Sequence, residues 1–139
     1  MILEALGLGA SWGAKPLARA VGSSKAKVAA LTEPLARALE AAGHEAVRAT
    51  LDEGRLSLEA GSVDALCLAG LPDSAALLLT ECARVVRHGG RVLVATPAGL
   101  ARRGPDRAEV SALLLHAGLI DLEQKLTRGT AISSGRVRR

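Results

Sequence analysis

Aromatic side chains are almost absent from this sequence. Its 139 residues include one Trp and neither Tyr nor Phe, so the core must be built from Leu, Val, Ala and Ile. Proteins that bind single-stranded nucleic acid usually stack bases on aromatic rings, and this chain has almost none to offer. The net charge of +4 arises partly from Arg136, Arg138 and Arg139, which we interpret as a solvated terminal strand. Nucleic acid is therefore not the expected ligand.

Cysteine is also scarce. Cys67 and Cys82 are too few for a disulfide scaffold and lack C-x-x-C spacing. Each lies in an apolar pattern, which predicts small buried side chains in a reducing compartment. No apolar run is long enough to span a membrane, and no basic segment precedes an apolar one at the N-terminus. The sequence therefore predicts a cytoplasmic protein without a membrane segment.

The common catalytic and metal-binding motifs are missing. His44, His88 and His116 fall in different predicted elements without the spacing of metal ligands, so no metal site is predicted. The chain contains no G-x-S-x-G elbow, no P-loop and no H-E-x-x-H pair. These absences exclude the serine-hydrolase, P-loop and zinc-peptidase signatures.

The segment 81–97 gives the strongest positive signal. Leu78, Cys82 and Val85 recur at helical spacing. Gly89-Gly90 should end that helix, because glycine readily adopts positive φ. The apolar run 92–95 that follows predicts a strand buried on both faces. A helix, a glycine turn and a buried strand form half of an α/β unit.

The rest of the chain continues this alternation. Strands are predicted at 2–6, 27–32, 44–51, 63–69, 91–96, 119–127 and 130–137, and helices at 14–21, 34–42, 73–87 and 105–117. The last two strands should form a hairpin. The sequence therefore predicts a single α/β domain over residues 1–139, with a mostly parallel seven-stranded sheet and a C-terminal antiparallel hairpin.

Two segments carry a family resemblance. Segment 81–97 resembles the "E-x-A-R-V-L-x-P-G-G-x-h-h-h" segment (h, hydrophobic) of class I S-adenosylmethionine-dependent methyltransferases, with His88 at the usual proline. Segment 52–64 resembles the family's "D-A-E-x-L-P-F-x-D-G-S-F-D" without a gap. The resemblance covers most of the chain. It implies a Rossmann-like methyltransferase fold, S-adenosylmethionine as the cofactor and methyl transfer to an acceptor that the sequence does not identify.

The resemblance also implies a cofactor site at the carboxyl ends of the strands. Gly7 and Gly9 would form the cofactor loop, although Ser11 stands at its third glycine position. A plain tight turn is the alternative. Ala69 and Gly70, after the fourth predicted strand, would lie over the cofactor.

Two carboxylates complete this predicted site. Glu33 would accept hydrogen bonds from the ribose hydroxyls, for which two carboxylate oxygens are suited. The alternative for Glu33 is a negative charge stabilised at a helix N-terminus. Asp52 would accept a hydrogen bond from the adenine amino group, and a solvated loop aspartate is its alternative.

Two functions remain open from the sequence. The first is a minimal methyltransferase, since methyl transfer needs little beyond correct positioning. The second is a non-catalytic binding or regulatory module, as in the N-terminal domain of anamorsin-type proteins, which this chain resembles. The incomplete glycine loop, the expected lack of N-terminal capping helices and the trimmed loop after strand four favour it. We also expect a partner, either a second copy or another protein, at a surface near Trp12. The alternative is that Trp12 packs back over the predicted helix 14–21.

Overall fold

The computed structural model describes residues 14–22, 24–71, 75–97, 107–127 and 130–138. The helices are α1 (Ala14–Val21), α2 (Glu33–Ala41), α3 (Ala75–Val85) and α4 (Arg107–His116). The strands are β1 (Lys27–Ala30), β2 (Glu45–Arg48), β3 (Leu51–Asp52), β4 (Arg55–Leu56), β5 (Val63–Ala69), β6 (Val86–Pro97), β7 (Leu119–Thr127) and β8 (Thr130–Val137). The predicted strand 2–6, the glycines Gly7 and Gly9, and Trp12 lie outside the described residues.

The described strands form a six-stranded sheet in the order β2-β1-β5-β6-β8-β7. Strands β2, β1, β5 and β6 are parallel to one another. Strand β8 is antiparallel to both β6 and β7. The predicted fold class, an α/β domain with a mainly parallel sheet and a C-terminal antiparallel hairpin, is therefore confirmed.

Helices cover both faces of this sheet. Side chains of α1 and α2, including Leu17 and Leu39, belong to one buried cluster. Side chains of α3 and α4, including Leu79 and Leu114, belong to the other. Along β5, Ala65, Cys67 and Ala69 join the first cluster, whereas Leu66 and Leu68 join the second. The continuous apolar run of β5 follows from this double coverage, and each fully buried Leu contributes about 1.5–3 kcal/mol.

The predicted burial of the two central strands is confirmed. Val92 and Val94 are both 0% exposed, and every residue of β5 except the half-buried Asp64 is buried. Cys67 and Cys82 are also fully buried, as their apolar surroundings predicted. Burial raises the pKa of the Cys67 thiol to about 12, which disfavours the reactive thiolate in the folded protein.

The glycine pair of β6 differs from its prediction. Helix α3 already ends at Val85, and the strand begins at Val86, before the glycines. The pairing of β5 with β6 shifts from Val63–Val86 to Ala65–Arg91, so residues 87–90 form a bulge. Gly89 has a φ of +81°. A Cβ on Gly90 would collide with the Asp64 carbonyl oxygen and would lie 2.6 Å from Val86 Cγ1. The pair therefore serves a strand bulge and does not end the helix.

Two further features were not predicted. Strands β3 and β4 form a small separate hairpin, whereas the sequence predicted no further strand between 44–51 and 63–69. Strand β7 does occur where predicted, but its pairing with β8 shifts between Ile120 and Glu123. Beyond that shift residues 123–126 are all exposed, so buried and exposed side chains do not alternate there.

Candidate functional site

The carboxyl edge of the sheet has a topological switch point between β1 and β5. Strand β1 pairs with β2 on one side and with β5 on the other. After β1, the chain first forms β2 on one side of β1 and later forms β5 on the other side. Open α/β sheets bind ligands at such a point, and the first strand-to-helix turn there is usually rich in glycine. In the described part of the chain, the strand-to-helix turn at this point is Leu31-Thr32-Glu33-Pro34, which contains no glycine.

Glu33 is the first residue of α2, where the helix dipole favours a negative charge. Both oxygens of its carboxylate are engaged. Oε1 accepts a hydrogen bond of 3.1 Å from Nε of Arg37, and Oε2 accepts one of 2.6 Å from Nη1 of Arg48. The Glu33 side chain is 56% exposed, and ion pairs of this kind contribute little to stability. These contacts match the helix-terminus interpretation of Glu33, and its predicted ribose contact remains a prediction.

Thr32 is the N-cap residue of α2, yet its side chain forms no capping hydrogen bond. The hydroxyl of an N-cap threonine normally accepts a hydrogen bond from the N–H of the second or third helical residue. The second helical residue here is Pro34, which has no N–H. The Thr32 residue is 7% exposed, and its Oγ1 has no hydrogen-bond partner. An unsatisfied buried hydroxyl is thus present at the switch point.

Ala69 and Gly70 lie on the other side of the switch point, at the end of β5. Ala69 is buried. The Gly70 N–H donates a hydrogen bond of 2.8 Å to the Ala95 carbonyl oxygen, which extends the pairing of β5 with β6 by one residue. Gly70 has a φ of +104°, a conformation that favours glycine. Its donor is therefore committed to the sheet, and its predicted position over a cofactor remains untested.

Asp52 lies on the β3–β4 hairpin. Its register partner is Arg55, and the turn between them has positive φ at both Glu53 (+49°) and Gly54 (+80°). Two positive φ values define the type I′ turn that suits a two-residue hairpin loop. Asp52 lines an open cavity of about 410 Å³ along this hairpin, and Glu33 does not. The predicted contact of Asp52 with adenine remains a prediction.

The hairpin is held by α3 through two residues whose roles the sequence did not reveal. Oε1 of Glu81 accepts a hydrogen bond of 2.9 Å from the Leu56 N–H, and Nη2 of Arg84 donates one of 3.2 Å to the Leu56 carbonyl oxygen. The guanidinium of Arg84 holds the pKa of the Glu81 carboxyl below its usual range. These residues belong to segment 81–97, and Leu56 belongs to segment 52–64. The two segments that resemble the methyltransferase family are thus in direct contact.

A third charged group lies at the amino end of β5. The Asp64 carboxylate accepts hydrogen bonds from the Lys27 N–H at 2.9 Å and from Nε of Arg87 at 2.6 Å. The backbone hydrogen bond from Lys27, followed by that from Arg87, lowers the pKa of Asp64. This group is at the edge of the sheet opposite to Glu33, and no signal in the sequence marked it as a site.

Neither a metal cluster nor a membrane span is found in the described ranges. Within 14–22, 24–71, 75–97, 107–127 and 130–138, no three His, Cys, Asp or Glu side chains are grouped to hold a metal ion. In the same ranges, no helix is both long and apolar enough to cross a membrane. His44 is 4% exposed, and its Nδ1 accepts a hydrogen bond of 3.2 Å from the Ala26 N–H, which indicates a structural role.

Comparison with known proteins supports the fold alone. No protein-family model matches the chain, and no curated protein matches it. Among solved structures, a SAM-dependent methyltransferase from Thermotoga maritima is 12% identical, with a TM-score of 0.61 over 98% of this chain and 92% of that one. A complex between the Haloferax volcanii Trm112 methyltransferase activator and a protein described as a methyltransferase gives 13% identity and a TM-score of 0.61, with coverages of 99% and 92%. The chain has the class I methyltransferase fold.

A third methyltransferase-fold neighbour contains a cofactor product. The 1,6-didemethyltoxoflavin-N1-methyltransferase of Burkholderia thailandensis was solved with 1,6-didemethyltoxoflavin and S-adenosylhomocysteine. It is 13% identical to this chain, with a TM-score of 0.58 over 93% of this chain and 78% of that one. At such identities the comparison establishes a shared backbone architecture, and the chemistry of the site has to be argued from the residues themselves.

The described residues at the switch point do not fit S-adenosylmethionine well. The carboxylate of such a cofactor needs N–H donors near the turn, and Pro34 has no N–H to donate. Residues 31–34 also include no glycine, which would let the backbone approach a cofactor closely. Each oxygen of the Glu33 carboxylate already accepts one hydrogen bond, from Arg37 or from Arg48, so a ribose diol would share this carboxylate with two arginines. Among the described residues, the β1–α2 turn therefore lacks the glycines and one of the N–H donors that usually face such a cofactor.

Proposed function

We propose that this chain is a methyltransferase-fold binding module that acts without methyl transfer. The observation that carries this proposal is the β1–α2 turn at the switch point. It has no glycine, its Pro34 removes an N–H donor, and the carboxylate of Glu33 pairs with two arginines. Pro34 in the first turn and the negative charge of Glu33 at the helix N-terminus both stabilise α2, which is a sufficient reason for this sequence.

Such a module would act through a protein partner. The Haloferax volcanii neighbour, with its Trm112 activator, gives one example of this fold in a protein complex. The proposed contact surface includes Trp12, which is the single Trp of the chain. Trp is enriched at the desolvated centres of protein interfaces, and this part of the proposal comes from the sequence.

A second candidate function is that of a small methyltransferase that binds S-adenosylmethionine at the same edge. The observation in its favour is the buried Oγ1 of Thr32, which has no hydrogen-bond partner. A buried hydroxyl without a partner costs free energy, and a bound ligand would relieve that cost. The Burkholderia thailandensis neighbour with S-adenosylhomocysteine supports a ligand of this class.

Titration of the pure full-length chain with S-adenosylmethionine by calorimetry separates the two candidates. For the binding module, we expect no saturable heat with either S-adenosylmethionine or S-adenosylhomocysteine. Saturable one-to-one binding would overturn the proposal in favour of the methyltransferase.

Three variants would then show where the cofactor binds. If binding is found, Glu33→Ala should weaken it by about 1–3 kcal/mol, the cost of losing hydrogen bonds to a charged group, and Asp52→Ala should weaken it less. Thr32→Val, which removes the unpartnered hydroxyl at nearly constant volume, tests the observation behind the second candidate. Unchanged affinity in Glu33→Ala would remove that residue from the site.

A further inference from the structure

A second cavity lies at the opposite edge of the sheet. It has a volume of about 250 Å³ and is open to solvent. Its lining comes from the segment before β1, the start of β5, the bulge of β6 and the end of β8, with Lys25, Asp64, Arg87, Arg91 and Arg136 as its charged members. We call it the amino-edge cavity, because Lys25 and Asp64 are at the amino ends of β1 and β5. It does not include Glu33 or Gly70.

The amino-edge cavity has a strong excess of positive charge. Four of its five charged side chains are cationic, and Asp64 is the single acid. The two oxygens of Asp64 are already bound, one by the Lys27 N–H and the other by Nε of Arg87. The acid therefore neutralises at most one of the four cations. The remaining charge has no acidic counterpart among the residues that line the cavity.

The guanidinium groups are held in place by the backbone. Nη2 of Arg91 donates hydrogen bonds of 3.1 and 2.7 Å to the carbonyl oxygens of Ala20 and Val21, the last residues of α1. Nη1 of Arg136 donates one of 3.1 Å to the Gly89 carbonyl oxygen. These contacts use one nitrogen of the Arg91 guanidinium and one of the Arg136 guanidinium, whereas each guanidinium carries five N–H donors. The groups are thus oriented while donors remain for a ligand.

The bulge of β6 explains why these charges converge. Residues 87–90 form a bulge in the pairing of β5 with β6. Arg87 is the first residue of this bulge, and Arg91 directly follows it. The conformation depends on Gly90, because a Cβ there would collide with Asp64 and lie 3.0 Å from the Arg87 carbonyl oxygen. The cavity is therefore a consequence of a specific backbone shape.

The chemistry of the cavity favours a small phosphate-type anion. Arginine guanidinium groups match the oxygens of phosphate in geometry and charge. Pockets for drug-sized ligands usually measure about 300–1,000 Å³, so a volume of about 250 Å³ suits a smaller ligand. The lining includes no aromatic side chain on which a nucleobase could stack. We propose that the amino-edge cavity binds a phosphate group, either free phosphate or a small phosphate monoester.

The test is a calorimetric titration of the full chain with inorganic phosphate and, separately, with glycerol phosphate, in chloride buffer at fixed ionic strength. We expect saturable one-site binding of at least one of the two anions. Arg136→Gln should weaken it about tenfold or more, as expected for the loss of a hydrogen bond to a charged group. The matched control is Arg37→Gln, because Arg37 is 76% exposed and lies outside the cavity. Its affinity should equal that of the wild type.

Arg87→Gln serves as a second variant if Arg136→Gln fails to fold by circular dichroism. Tighter binding of glycerol phosphate would identify a monoester as the source of the group, and tighter binding of inorganic phosphate would identify the free anion. Three outcomes would overturn the proposal. The first is the absence of saturable binding of either anion, and the second is equal weakening of anion binding by Arg136→Gln and Arg37→Gln. The third is that the chain binds an RNA oligonucleotide, titrated in the same way, but neither of the two anions. None of these outcomes depends on the titration with S-adenosylmethionine.

Discussion

The side chains of Glu81 and Arg84, one turn apart on α3, form a two-point ion pair. Nε of Arg84 donates to Oε2 of Glu81 at 2.8 Å, and Nη2 donates to Oε1 at 2.9 Å. The same two groups bind the N–H and the carbonyl oxygen of Leu56. A helix thereby satisfies both backbone groups of a hairpin residue that, among the described residues, has no further strand beside it. The "E-x-A-R" pattern, which carried the family resemblance, has a structural role in this chain.

We predict that Arg84→Met destabilises the protein by about 1–3 kcal/mol, because it leaves Glu81 and the Leu56 carbonyl oxygen without their charged partner. The side chains of Arg84 and Glu81 are 26% and 15% exposed, whereas those of Arg37 and Glu33 are 76% and 56% exposed. Arg37→Met is therefore the matched control, with an expected change below about 1 kcal/mol. Urea unfolding of both variants measures the difference. Equal effects of the two substitutions would contradict the structural role of Arg84.

The ion pair also predicts a pH dependence. The hydrogen bond from Arg84 lowers the pKa of Glu81 in the folded state below its ordinary value of 4.5. The stabilisation from Glu81 is therefore fully present above the unfolded-state pKa, and it is lost as the pH falls through the folded-state pKa. We expect the free energy of unfolding to fall less steeply on the acid side in Glu81→Gln than in the wild type. Parallel acid limbs in urea unfolding at a series of pH values would refute this.

The bulge of β6 gives a prediction about Gly90. A Cβ at this position meets backbone oxygens of Asp64 and Arg87, which move only with the strands. We expect Gly90→Ala to cost at least about 1–3 kcal/mol, as overpacking in a core does. Gly118→Ala is the control. A Cβ at Gly118 meets nothing within 4 Å, so only the positive φ of +89° opposes this substitution. Thermal unfolding compares the two variants. A Gly90→Ala protein as stable as the wild type would contradict the bulge geometry.

The sequence predicts an element correctly where the pattern that defines the element lies within one continuous segment. Strand β5 and helix α1 begin and end as predicted, because an apolar run between polar residues and a capped amphipathic stretch are local patterns. The Gly89-Gly90 pair was misassigned, since positive φ serves a helix end and a bulge equally well. The pairing of Glu33 with Arg48 was not predicted, because Arg48 is on β2 and becomes a neighbour only when β1 and β2 pair. The amino-edge cavity combines four separate segments, so no single segment indicates it.

Trp12 provides the last prediction, which concerns self-association. If Trp12 is at the centre of a contact between two copies of this chain, its fluorescence should shift to longer wavelength as the dimer is diluted into monomer. Trp12→Ala should then raise the dissociation constant about 30-fold, because an interface hot spot contributes about 2 kcal/mol or more. Leu126→Ser is the control, since Leu126 is 59% exposed on the edge strand β7. A monomeric mass at every concentration, with constant Trp12 emission, would rule out self-association through this residue and would leave a different protein as the partner.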